Sequence, residues 1–274
     1  MATVHALTYY PIKGCAGVSV EQAEVTETGL AYDRSFAAVE REGELMAAVT
    51  QREYARMAVV RAQVLHSGAK LGLSAPGIED LMLDVVSGGS TTPMSVHKWV
   101  GAGLDQGDEV AEWFSTVLGT PVRLMRVAPD HDRAGSGKAP GKTGFADSTA
   151  LLVTSLSSLD GLNARLIEKG ADPLPMNRFR PNIVVAGWRL PHTEDRVWRM
   201  SAGAVEIAYG KRDIRCVVTT IDQLAGEKAG HEPLRTLADY RREPEGGVSF
   251  GMKAAVARPG TIFVGAEVDV TEWL

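Results

Sequence analysis

The chain has 274 residues, 45% of them hydrophobic and 23% charged, which is enough apolar material for one large domain or two small intertwined ones. Its net charge of −5 argues against a nucleic-acid binder, because phosphate contacts draw their affinity from a basic excess. Two cysteines, Cys15 and Cys216, cannot build a disulfide scaffold, a four-cysteine zinc site or an iron–sulfur cluster. No run reaches the length of a membrane span, and MATVHALTYYPIKG lacks the apolar stretch of a signal peptide. The expectation is a cytoplasmic protein that meets neither nucleic acid nor membrane.

In chain order, the first 65 residues read as short strands. VHALTYYPI, VSVEQAEVT, RSFAAVER and MAVVRAQVL are separated by the turns GCAG, TGLAYD and REGE. Residues 67–100 continue in this style, and the spacing predicts a β-rich sandwich or barrel. A helix is predicted over 108–118, with Val110, Phe114, Val117 and Leu118 at helical spacing and Gly119 as the stop. A second is predicted over 155–169, with the stripe Leu159, Leu162, Leu166 and Ile167. Between them, PDHDRAGSGKAPGKTG (129–144) reads as a mobile linker or as a basic flap over an anion, carrying Arg133, Lys138 and Lys142. It is not a phosphate-binding Walker loop, because five residues separate Gly135 from Gly141 where four are needed. NIVVAGW, AVEIAYG, RCVVTTID and TIFVGAEVDV read as further strands. The expected fold is mainly β (α+β) with few helices.

Several segments could carry chemistry. Cys216 follows Lys211, Arg212 and Arg215; nearby cations favour the thiolate that a soft metal or an electrophile needs, although a strand cysteine serves equally as a small buried hydrophobe. Asn177-Arg178-Phe179-Arg180-Pro181-Asn182 crowds two arginines and two amides into one junction, either to fork onto a phosphate or as a surface turn. Asp147-Ser148-Thr149 offers hydroxyls to an anion or to its own backbone. Lys13-Gly14 and Asp33-Arg34 are weak signals alone, and Cys15 reads as structural. The six histidines fall at no metal-ligand spacing.

Taken in order, YPIKG, DR, FADST, NRFRPNIVVAG, RCVVTTID, EPLRTLADYR, FGM and PGTIFVGAEV resemble the MOSC family with its N-terminal MOSC β-barrel region, including the amidoxime-reducing molybdenum enzymes. The resemblance runs over nearly the whole chain. It implies a MOSC β-barrel packed with an N-terminal β-rich region, divided as residues 1–125, a Gly/Pro-rich joint at 126–144, and a MOSC domain at 145–274. The resemblance also implies that roughly the first 35 residues pack on the C-terminal barrel. It implies molybdenum bound to molybdopterin as cofactor, with Cys216 as catalytic residue and metal ligand. Lys13, Gly14, Arg34, Asp147, Ser148, Thr149, Arg180, Asn182 and Arg215 are the implied cofactor contacts. Two positions depart from the pattern: Gly14 stands where the amidoxime reductases carry serine, and Ile214 where they carry a small polar residue.

The chain is expected to lack the membrane anchor and the appended ferredoxin-like domain of some members, so electrons must come from a separate ferredoxin, flavodoxin or flavoprotein reductase. The expected activity is reduction of a small N-hydroxylated substrate. A cofactor carrier or sulfur-transfer protein, and a barrel holding another anion, are the competing functions.

Overall fold

The computed structural model describes residues 1–274 and contains two closed β-barrels. In the first, the strands Ile183–Ala186, Leu151–Ser155, Val248–Arg258, Val205–Arg215, Val197–Ala202, Glu267–Trp273 and Ala2–Tyr9 follow one another around the wall. Ala2–Tyr9 closes the ring by antiparallel pairing with Ile183–Ala186, from Thr3 opposite Ala186 to Leu7 opposite Ile183. The chain's first strand is therefore a stave of the barrel built from its last 120 or so residues, an order-of-magnitude span in line with a single β domain. Gln22–Thr26 likewise pairs with Gly260–Phe263.

The second barrel is made of Phe36–Glu42, Leu45–Ala48, Thr92–Val96, Trp99–Asp105 and Arg123–Val127, closed between the first and last of these. Ile12–Lys13 adds to it in parallel, Lys13 opposite Ala37, so the segment leaving the first barrel enters the wall of the second. No helix is long and apolar enough to cross a membrane.

Closure removes the sheet edges and gives each barrel its own apolar interior. Val4, Leu7, Val153, Ile183, Val185, Met200, Ile207, Met252 and Ala254 fill the first. The strand Val248–Arg258 is buried on both faces along most of its length, since Ala255 meets Ala139 outside the barrel while Met252 and Ala254 point in. That burial explains why VSFGMKAAVAR does not alternate polar and apolar residues.

The helix Asp108–Leu118 forms where its pattern places it. Asp108 and Glu109 complement the dipole in the first turn, Gly119 closes the last turn at φ 73°, and Val110, Trp113, Phe114 and Val117 bury one face beside the second barrel. The second helix spans Leu156–Glu168, capped by the Ser155 hydroxyl accepting from the Ser158 amide. Leu162 and Leu166 are buried against Phe179 and Phe250, but Ile167 is 61% exposed and drops out of the expected stripe.

Three other expectations change. MAVVRAQVL begins as a 3-10 turn at Ala55–Val59 and becomes a strand only at Arg61–Leu65. RCVVTTID is strand only at its ends, Arg215 and Ile221–Asp222: after Cys216 the chain turns through a 3-10 helix, Val217–Thr220. The Thr219 hydroxyl donates to the Cys216 carbonyl at 2.9 Å and the Thr220 hydroxyl to the Val217 carbonyl at 2.8 Å, so side chains replace the ladder that β-branching suggested. The segment 129–144 is tethered rather than a free linker. Ser136 N–H donates to the Ser148 carbonyl at 2.6 Å, and the Lys138 and Ala139 amides donate to the Gly210 and Tyr209 carbonyls at 2.8 and 3.0 Å.

Candidate active site

A cleft of about 900 Å³ lies between the barrels, lined from both of them. Each sequence-singled site residue — Lys13, Gly14, Arg34, Asp147, Ser148, Thr149, Arg180, Asn182, Arg215 and Cys216 — lines it. Arg178 does not. It is buried behind the wall, donating to the Thr219 carbonyl at 3.4 Å and facing Asp222 at 3.6 Å, so it braces the turn after Cys216. Asn177 is exposed and also stays outside.

The floor is a buried polar network. Asn182 is 1% exposed and uses its whole amide. Its oxygen accepts from Arg34 at 2.9 Å and from the Leu152 amide at 3.1 Å; its NH2 donates to the Thr8 carbonyl at 3.1 Å and to Asp33 at 3.0 Å. Asp33 also accepts from the Tyr10 amide at 2.8 Å and pairs with Arg34 at 2.6 Å. Burial pushes the Asp33 carboxyl up, and the Arg34 guanidinium works against that. The Tyr10 ring lies between two guanidiniums, Arg34 at 4.4 Å and Arg180 at 4.3 Å from its centroid.

Arg180 ends the 3-10 turn Met176–Phe179 in a left-handed conformation, φ 56°. From there it donates to the Cys15 carbonyl at 2.5 Å and to Gln223 at 3.1 Å. Cys15 is fully buried, and burial pushes its thiol up to about 12, consistent with a structural residue. Gly14 sits at φ +83°, and a Cβ there would stand 3.0 Å from the Met57 methyl. A serine at this position would adopt a strained backbone and push that side chain aside.

The upper wall holds the charged pairs. Lys13 and Asp147 form a close ion pair; Lys13 holds the Asp147 carboxyl far below the usual carboxylate range, while burial pulls the Lys13 ammonium down. Arg215 pairs closely with Asp213 and donates to the Phe179 carbonyl at 2.8 Å; burial lowers its guanidinium to about 10. Lys253 approaches the same Asp213 at 3.0 Å, and burial brings it down to about 8.

Arg133, from the segment expected to be loose, is buried and donates to the Gly144, Ala146 and Asp147 carbonyls at 3.0, 2.7 and 3.0 Å, fixing the Asp147 loop. Lys142 of that segment is turned outward to Glu27 and Asp132. The Ser148 hydroxyl is buried without a partner.

Cys216 is half-buried at the cleft, at the exit of the strand Val205–Arg215. The cation in contact with its sulfur comes from the other barrel: Arg52 Nη2 is 3.5 Å from Sγ and 4.0 Å from Asp147. Sequence reasoning expected Lys211, Arg212 and Arg215 in that role, but Arg212 forks onto Glu243 at 3.1 Å on both oxygens. Arg52 and Lys253 were missed, because an isolated cation in TQRE or FGMK carries no spacing signal. No group of three or more His, Cys, Asp or Glu side chains could hold a metal by itself.

Comparison with known proteins agrees with this architecture. Residues 1–121 match the MOSC N-terminal beta barrel domain, and residues 140–269 match the MOSC domain. The chain is 33% identical to mitochondrial amidoxime-reducing component 1 of Homo sapiens over 98% of its own length and 82% of the relative's. It is 32% identical to mitochondrial amidoxime reducing component 2 of Bos taurus, covering 98% of this chain and 83% of that one. It is 29% identical to the molybdenum cofactor sulfurase of Arabidopsis thaliana over 90% of this chain, but only 32% of that protein. The chain belongs to the MOSC family, with an N-terminal MOSC β-barrel domain ahead of the MOSC domain.

Proposed function

We propose that the cleft holds molybdopterin with molybdenum, that Cys216 ligates the metal, and that the protein reduces N-hydroxylated compounds with electrons from a separate protein. The observation that carries this reading is a single thiol set in a cleft whose cations outnumber its carboxylates. One thiolate that belongs to no group of three or more His, Cys, Asp or Glu side chains is a poor metal site alone. It suits a metal whose remaining donors arrive with an organic cofactor. An anionic cofactor also suits the excess of Lys and Arg and the unpartnered Ser148 hydroxyl.

In this reading Lys13, Arg34 and Arg180 hold the cofactor's anionic end, with Ser148 and Thr149 donating beside them. Asn182 acts through Arg34, which it holds in place at 2.9 Å. When bound, the cofactor supplies two-electron chemistry at the metal. Reduction of an amidoxime to an amidine takes up two electrons and two protons, breaks the N–O bond and releases water. Arg52 and Arg215 flank the reacting centre and set the charge around the sulfur. His97 lies at the rim of the cleft, where partial burial lowers its imidazole.

The test is anaerobic turnover of benzamidoxime with chemically reduced viologen as donor. Benzamidine formed by wild type and not by Cys216→Ala supports the reading; no benzamidine from molybdenum-loaded wild type overturns it. The similarity to the sulfurase favours a second reading, a cofactor carrier or sulfur-transfer protein. It predicts bound cofactor without turnover.

A further inference from the structure

Inside the cleft two lysines stand opposite each other on neighbouring strands. Lys211 of Val205–Arg215 is the register partner of Lys253 of Val248–Arg258, and both line the cavity. Like charges directly opposite across a ladder are destabilising. Here two lysines share one carboxylate contact, with Asp147 acting on Lys253 from farther away. Asp213 is the acid in contact with Lys253, at 3.0 Å, and it is already paired with Arg215. Lys211 has no carboxylate partner; its ammonium donates to the neutral Ser136 hydroxyl at 3.0 Å.

The other end of the cleft differs, since Lys13 and Arg34 there each have their own acid, Asp147 and Asp33. The Lys253 side chain is 21% exposed, so water compensates its charge only in part. Burial lowers both ammonium groups, and for Lys211 the charge of Lys253 adds to the effect.

We propose that Lys211 and Lys253, with the Ser136 hydroxyl, form an anion subsite in the cleft, distinct from the Lys13–Arg34 end, and that it selects substrates carrying a carboxylate or phosphate. This deepens the reductase reading and rests on it for the reacting group. A ligand anion between the two ammonium groups removes their mutual repulsion, so charge on the substrate becomes binding energy. Ser136 belongs to the segment 129–144, whose amides are bonded to the Ser148, Gly210 and Tyr209 carbonyls, so the subsite is formed before a ligand arrives.

The experiment compares benzamidoxime with 4-carboxybenzamidoxime by calorimetry on molybdenum-loaded protein, without reductant so that neither turns over. Wild type is expected to bind the carboxylate about tenfold tighter. Lys211→Met brings the ratio toward one. Lys211→Glu, on a half-exposed strand position, inverts it. Equal binding of the two compounds by wild type overturns the proposal, as does an unchanged ratio in folded Lys211→Glu. Loss of molybdenum and pterin from Lys211→Met also overturns it, by assigning the lysines to the cofactor instead. If neither amidoxime binds, the reductase reading falls on its own. The subsite is then read with inorganic phosphate, whose affinity drops at least threefold in Lys211→Glu if the subsite exists and stays unchanged if it does not.

Discussion

Asn182 is the tie between the barrels, and replacing it with leucine tests how much that tie contributes. The substitution keeps the volume and removes four hydrogen bonds, to Arg34, Leu152, Thr8 and Asp33. Arg34 and Asp33 retain each other at 2.6 Å, and Asp33 keeps the Tyr10 amide, so those two groups are not orphaned. The Leu152 amide, in a buried residue, and the Thr8 carbonyl, in a half-buried one, each lose a partner beneath the cleft floor. At about 1 to 3 kcal/mol for each buried group left unmet, the loss is about 3 kcal/mol. For a chain of this size that corresponds to a fall in Tm of roughly 6 to 12 °C. Circular dichroism melts and urea unfolding of wild type and Asn182→Leu measure it. A change below about 1 kcal/mol would refute the network as a source of stability.

Further outcomes follow from the same geometry. Alkylation of the native protein with iodoacetamide should add one label, at Cys216, because Cys15 is buried with its thiol pushed up to about 12; mass spectrometry reads it, and rapid labelling of Cys15 contradicts the packing. His192 is lowered from 6.5 to about 3 by burial first and then by Arg241. A base held neutral in the fold stabilises above the unfolded value, so this contribution is complete above pH 6.5 and is lost as pH falls toward 3. His192→Asn should therefore flatten the acid limb of stability against pH by up to about 1.4 kcal/mol per pH unit, measured by urea midpoints; an unchanged slope contradicts a neutral buried imidazole.

Much of the fold was legible. The first barrel's strands are bounded by turn residues, and the two long helices are marked by their apolar spacing and, for the first, by Gly119 as its stop, whereas the Ser155 cap came only with the structure. The turn after Cys216 was misread because Val-Val-Thr-Thr is a strand-forming run by propensity, whereas the hydroxyl bonds of Thr219 and Thr220 join the Thr219 amide's bond to the Cys216 carbonyl in making it a 3-10 turn. The segment 129–144 looked loose because its partners, Tyr209 and Gly210, lie some 70 residues away in sequence, a separation typical of non-local β pairing. The candidate site was legible through ordered motifs at Lys13, Asp147, Arg180 and Cys216. Arg52 and Lys253 enter the cleft only through tertiary packing of isolated cations, which no local pattern encodes.

In the proposed function, Cys216 holds a molybdenum cofactor in the cleft. Its most direct test is the molybdenum content, by elemental mass spectrometry, of wild type and Cys216→Ala purified side by side from a host that makes the cofactor. Near-stoichiometric molybdenum in wild type, lost from the variant, is the expected result. A folded wild type without molybdenum, or a variant that keeps the metal, would contradict it.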